Sequence, residues 1–142
     1  TELMEKKRSE LVIRPGRFRF LPDCTFRNSH PAIIGVRVIG GKIKPNLNVI
    51  KEDGSKVGTL KGIQERNENI GEARTGMEVA VALEGPVVGR NIREGDMLYI
   101  DIPEKHAKIV EQELYQSLSE DEKETLGAFL DIKRKENPFW GK

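Results

Sequence analysis

The stretch Ile33-Ile34-Gly35-Val36-Arg37-Val38-Ile39-Gly40-Gly41-Lys42-Ile43-Lys44-Pro45 decides how the rest of the chain is read. From Ile33 to Ile39 it is dominated by β-branched side chains, which suit a pleated, half-buried surface and lose rotamer freedom in a helix. The run predicts a strand, with Gly40-Gly41 breaking it and Lys42 to Ile50 continuing as a turn and a second short strand. Toward the N-terminus, a polar loop at Arg27-Asn28-Ser29-His30-Pro31 precedes it. Before that loop, Arg17-Phe18-Arg19-Phe20 alternates with a period of two, phenylalanines in and arginines out, after a Pro15-Gly16 turn. Toward the C-terminus, Asp53-Gly54 is a tight-turn signal that makes a hairpin. Lys56 to Arg66 carries Val57, Leu60 and Ile63, with Gly58 and Gly62 as bends. Met77 to Leu83 alternates again before Gly85-Pro86. Glu94-Gly95-Asp96 turns the chain into Met97-Leu98-Tyr99-Ile100, which closes the sheet. Short strands with glycine corners predict a closed antiparallel β-barrel, an arrangement that also removes exposed strand edges.

The period then changes. Pro103 suits a first helical turn, and Ala107, Val110, Leu114 and Leu118 recur at three and four residues as one apolar stripe. This helix ends near Ser117. Ser119 and Glu122 form a capping-box pattern that starts a second helix, with Leu126, Phe129 and Leu130 on its inner face and Asn137-Pro138 as its stop. At the other end, Thr1 to Glu10 reads as a charged helical stub without a cap. The expected organisation is therefore the end of a connector helix at 1–10, a β-barrel at 11–102 and a two-helix appendix at 103–142: a mainly β fold with two C-terminal α-helices.

A chain of 142 residues with 37% hydrophobic and 33% charged residues can bury a core without staples. The single Cys24 excludes an internal disulfide, and one thiol does not build a structural zinc site, so a reducing cytoplasm is expected. No apolar run approaches the roughly 20 residues of a membrane-spanning helix. The net charge of +1 hides an asymmetry: residues 11–66 balance to +7 and residues 67–142 to −6. A basic first half suits a polyanion such as RNA and an acidic second half suits a different partner, although solvated surfaces would give the same count.

Catalytic chemistry is poorly supplied. His30 and His106 have no His or Cys at ligand spacing, and Cys24 has no neighbouring base in sequence. Val36 to Ile43 resembles a phosphate loop only in its Gly-Lys, since Val36 replaces the first glycine and Ile43 the magnesium-binding hydroxyl residue. Asp96 with Asp101 could be paired as acid and base, but Glu120-Asp121-Glu122 at a helix start simply complements the dipole. No catalytic residue, metal ligand or cofactor is expected in this chain. Binding features are richer. Arg17, Arg19, Arg37, Lys42, Lys44 and Lys61 are expected to point outward together as a basic wall that positions phosphates. The aromatic residues near it give poor support for base stacking, because Phe18 and Phe20 read as buried, leaving Phe26. On the helices, Ile109, Ala128 and Ile132 exceed one packing stripe. Either a partner covers them, or the helices pack on each other and on the barrel with both sides. Phe139 and Trp140 likewise read as a terminal lock or a partner anchor.

Taken in order, these residues resemble a known family: the fourth, C-terminal domain of archaeal and eukaryotic translation initiation factor 5B, a relative of bacterial initiation factor 2. The element Gly35 to Pro45 is similar to a strand and turn of the second-domain barrel of translational GTPases. The order of the incoming stub, Ile13-Arg14-Pro15, the Phe26 to Pro31 loop, this strand, Val88-Gly89-Arg90 and two terminal helices narrows the match. It covers about Leu11 to Gly141, and the ending Asn137-Pro138-Phe139-Trp140-Gly141 looks archaeal. The resemblance implies a cytoplasmic, monomeric module of a ribosome-dependent GTPase that acts in ribosomal subunit joining, with GTP and magnesium held by a GTPase domain this chain lacks. It implies that the barrel binds the acceptor end of methionylated initiator tRNA, at positions matching Val36, Glu65, Arg66, Glu78 and Val79. Arg37, Arg66, Lys42 and Lys44 would contact the tRNA end, and Val36 and Val79 would lie near the methionyl side chain. Val36 and Val79 stand where the bacterial pocket has cysteines. The helices would dock the C-terminal region of initiation factor 1A through Ile109, Glu113, Ala128, Ile132, Phe139 and Trp140. The rival readings are a generic RNA-binding barrel, an architectural spacer and an enzyme scaffold.

Overall fold

The structure, a computed structural model, describes residues 13–140. The stub at 1–10 lies outside the described residues. Eight strands are present among the described residues: β1 (Gly16–Arg27), β2 (Ala32–Ile43), β3 (Leu47–Lys51), β4 (Lys56–Glu65), β5 (Glu68–Ile70), β6 (Ala73–Arg74), β7 (Glu78–Glu84) and β8 (Met97–Ile100). Six close into a ring in the order β1, β8, β3, β4, β7, β2 and back to β1, every pairing antiparallel. β5 and β6 lie outside the ring, on β4 and β2 respectively. The closed antiparallel barrel is thus the observed architecture.

Alternation places the core. Phe18, Phe20, Ile34, Val36, Val38, Leu60, Ile63, Val79, Val81, Leu83, Leu98 and Ile100 all point inward and are buried together. Each such aliphatic or aromatic side chain contributes roughly 1.5–3 kcal/mol of transfer free energy. β8 is buried at all four positions, because Leu98 and Ile100 enter the barrel while Met97 and Tyr99 face a second core. That second core is completed by the helices: Ala107, Val110, Leu118, Leu126, Phe129, Leu130 and Ile132 pack with Ile50, Met97 and Tyr99 on the outside of β3 and β8.

The first helix is α1 (Glu104–Ile109), starting after Pro103 at the N-cap; it widens into a π turn over Val110–Leu114 and tightens into a 3-10 turn over Tyr115–Ser117. The second, α2 (Glu120–Glu136), opens on the expected capping box: Ser119 Oγ accepts from the Glu122 N–H at 3.3 Å, and Glu122 Oε1 accepts from the Ser119 N–H at 3.2 Å.

Three expectations change. Gly40-Gly41 does not break β2, which runs on to Ile43. The glycines admit α2: a Cβ on Gly40 would lie 2.1 Å from Thr125 Oγ1, and Gly41, at φ +70°, donates its N–H to Asp121 Oδ2 at 3.2 Å. The strand expected to reach Arg66 stops at Glu65. Arg66 and Asn67, both at positive φ, form a two-residue hairpin turn into β5, with Glu65 opposite Glu68. Finally, β1 is longer than Arg17 to Phe20; its irregular register between Phe20 and Thr25 lets Leu21 to Cys24 bulge away from β2.

Candidate nucleic-acid interface

The β1 bulge makes a recess. Across β2, β7 and β4, the outward row runs Gly35, Ala80 and Gln64, each opposite the next. The first two are too small to fill the surface. Cys24 folds back over Gly35, so that a Cβ on Gly35 would sit 2.6 Å from the Cys24 Cβ. On the opposite side stands the Arg66-Asn67 turn. The result is a recess of about 270 Å³ lined by Leu21, Cys24, Phe26, Gly35, Val36, Gln64, Arg66, Asn67, Glu78, Val79 and Ala80. Its surface combines a guanidinium, a carboxylate and an aromatic ring, Phe26, that is 66% exposed. Val36 and Val79, 0% and 5% exposed, form the floor and belong to the barrel core.

Four of the sequence-predicted residues, Val36, Arg66, Glu78 and Val79, therefore meet in one place. Glu65 adjoins the recess as the last β4 residue before the turn, without lining it. Arg37 stands opposite Glu78 and belongs to the next outward row. Lys42 and Lys44 do not join them. Lys42 is seven residues beyond Gly35, about 23 Å along an extended strand, and lies opposite Arg74. Lys44 and Arg74 both engage Glu72, at 3.8 Å and 3.1 Å. The basic wall is likewise divided: Arg17 turns to the helices, 4.0 Å from Glu124. Cys24, Phe26, Gln64 and Asn67 were not foreseen as recess residues. Asn67 carried a usable signal, since Arg-Asn between two short alternating runs suits a turn with positive φ.

The helices carry a second concavity, about 330 Å³, lined by Glu111, Tyr115, Lys123, Leu126, Gly127, Leu130, Asp131 and Arg134. Arg134 donates to Glu111 at 3.2 Å and to the Trp140 carbonyl at 3.0 Å, and Lys123 lies 5.2 Å from the Tyr115 ring centroid. The predicted partner residues do not line it. Ile132 is buried, Ile109 and Ala128 pack against the second core, and Trp140 stands edge-on to Phe129 with centroids 5.6 Å apart. Glu113 is exposed, as is Phe139 at 77%.

Between the two sites, Asp121 pins α2 to the barrel. Its carboxylate accepts from the Thr75 hydroxyl and the Gly41 N–H. The Thr75 and Ser119 hydroxyls, with the Gly41 amide, hold its pKa down from the ordinary 3.8 to about 2. Among the described residues no group of three or more His, Cys, Asp or Glu could hold a metal ion, and no helix is long and apolar enough to cross a membrane.

The family model for elongation factor Tu domain 4 matches residues 14–99, the whole barrel up to β8. Translation initiation factor IF-2 of Methanothrix thermoacetophila is 58% identical over 139 residues, 98% of this chain. The chain belongs to the translation initiation factor IF-2 family. The IF-2 of Methanosarcina acetivorans is 57% identical over 99% of the chain. Among solved structures, the crystal structure of GDP-bound aIF5B from Aeropyrum pernix superposes with a TM-score of 0.90 at 38% identity, covering 99% of this chain. The chain spans about a quarter of these IF-2 and aIF5B proteins: 23% and 24% of the two relatives and 24% of the crystallised chain. The barrel and helix pair thus correspond to one part of those longer proteins.

Proposed function

We propose that this IF-2 family module holds the acceptor end of methionylated initiator tRNA in the recess beneath Phe26. The observation that carries the reading is the meeting of Val36, Arg66, Glu78 and Val79 in one recess with an exposed aromatic ring at its side. A terminal aminoacyl nucleotide has a flat base, a negatively charged backbone and a side chain to be sheltered. Phe26 offers a face for stacking, Arg66 a cation for the backbone, and the valine floor an apolar boundary for the methionyl group. Lys42 and Lys44 would meet RNA farther from the terminal nucleotide. Titration of the chain with methionylated and deacylated initiator tRNA tests the reading. Binding that weakens with salt and favours the methionylated form is expected; equal affinity for both forms would oppose it.

The second part of the proposal is that α1 and α2 dock the C-terminal region of initiation factor 1A. The helix concavity supports this reading with Leu126 and Leu130 beside charges of both signs, Lys123 and Arg134 with Glu111 and Asp131, a surface suited to a peptide carrying apolar and charged residues. Phe139 supplies an exposed anchor, and Glu113 lies on the exposed side of the π turn. The parent would be a cytoplasmic, ribosome-dependent GTPase acting in subunit joining. Its GTP and magnesium would belong to its GTPase domain, leaving this module to bind.

A further inference from the structure

Arg19 and Arg37 lie directly opposite each other across β1 and β2, both exposed on the outside of the barrel. Like charges at directly opposed positions destabilise an antiparallel pair. Among the described residues neither guanidinium has an ion pair or hydrogen bond, in contrast to Arg17 with Glu124 and to Lys44 and Arg74 with Glu72. The neighbours across the row do not restore balance. Beyond Arg19 is Met97, turned into the second core, and beyond Arg37 is Glu78, one carboxylate for two cations. Glu78 also lines the recess. Arg37 is two residues from Gly35, about 7 Å along the strand, so the pair stands at the rim of the recess and not at a remote patch.

We propose that Arg19 and Arg37 together form a phosphate clamp, gripping a phosphodiester of the RNA strand whose 3′ end enters the recess. Two adjacent guanidinium forks match the oxygens of one phosphate, and bringing an anion between them removes the repulsion that the free protein carries. The identity of the strand rests on the acceptor-end reading; the anion site itself does not.

The test compares two probes on the intact chain. One is a hydrolysis-resistant 3′-methionylamino adenosine, free of phosphate; the other carries the same terminus on the trinucleotide CCA. For the wild type at low salt, the phosphodiesters are expected to raise affinity about tenfold. In Arg19→Gln and in Arg37→Gln that gain shrinks, the salt slope of the trinucleotide falls by about 1, and the phosphate-free probe binds as before. Lys56→Gln, which removes an exposed cation at the start of β4, leaves the gain intact. An undiminished gain in the arginine variants, or an equal loss in Lys56→Gln, would overturn the clamp. Failure of the phosphate-free probe to bind the wild type would count against the recess reading alone. The clamp is then decided by thermal melting in inorganic phosphate, which should stabilise the wild type more than Arg19→Gln; equal stabilisation overturns it.

Discussion

Cys24 occupies the space that a side chain at position 35 would need: its Cβ lies 2.6 Å from where a Gly35 Cβ would stand. This contact shapes one wall of the recess, so packing there sets the recess's form. Gly35→Ala is expected to cost about 1–3 kcal/mol in urea unfolding and to weaken tRNA binding. Adding Cys24→Gly should restore much of the stability. Simple additivity of the two substitutions would show that the contact does not form the wall.

The docking of α2 depends on Gly40. A methyl group there would meet Thr125 Oγ1 at 2.1 Å, so Gly40→Ala should lower stability by about 2 kcal/mol or more. Thr125→Ala removes the obstructing atom along with its 2.8 Å hydrogen bond to the Asp121 carbonyl, a loss of about 1 kcal/mol. The double variant should therefore be more stable than Gly40→Ala alone, measured by equilibrium denaturation.

Asp121 predicts an acid limit. Its folded pKa, about 2, lies below the ordinary 3.8, so the carboxylate stabilises the fold fully above about pH 4. As pH falls through 2 that contribution is lost, because the unfolded chain takes up the proton first. Asp121→Asn should lower stability by about 1–2 kcal/mol near neutrality, after allowing for solvent screening. The difference from wild type should narrow between pH 4 and pH 2. A difference that stays constant across that window would exclude the carboxylate charge as its source.

Two aromatic residues near the C-terminus should behave differently. Phe139→Ala is expected to change stability by less than about 0.5 kcal/mol, since the ring is 77% exposed, while weakening initiation factor 1A binding. Trp140 stands against Phe129, so Trp140→Ala should destabilise by about 1–3 kcal/mol. Unchanged factor binding in Phe139→Ala would remove that ring from the docking surface.

Local chemistry made the barrel and helices legible. Phe18 and Phe20 alternate with arginines, Asp53-Gly54 marks a turn, and Ser119 with Glu122 caps a helix; each is a near-neighbour relation that the structure reproduces. Gly40-Gly41 misleads because a glycine pair that admits a helix from 80 residues away looks, in sequence, like one that ends a strand. The recess was legible only in part. Arg66, Glu78 and Val79 could be placed through the family resemblance, whereas Cys24 and Phe26 reach it through a bulge whose register depends on pairing with β2. Lys42 and Lys44 are neighbours of Arg37 in sequence, but strand length carries them away from the recess. Ile132 and Ile109 read as surplus apolar residues because a second core on the outside of the barrel has no signature in one helix alone.

The central claim, that the recess receives the methionylated acceptor end, is tested most directly by the chain's single thiol, since Cys24 lines the recess. Alkylation of Cys24 by iodoacetamide should be slowed several-fold by methionylated initiator tRNA at low salt and much less by the deacylated form. An alkylation rate unchanged by the methionylated tRNA would contradict the account.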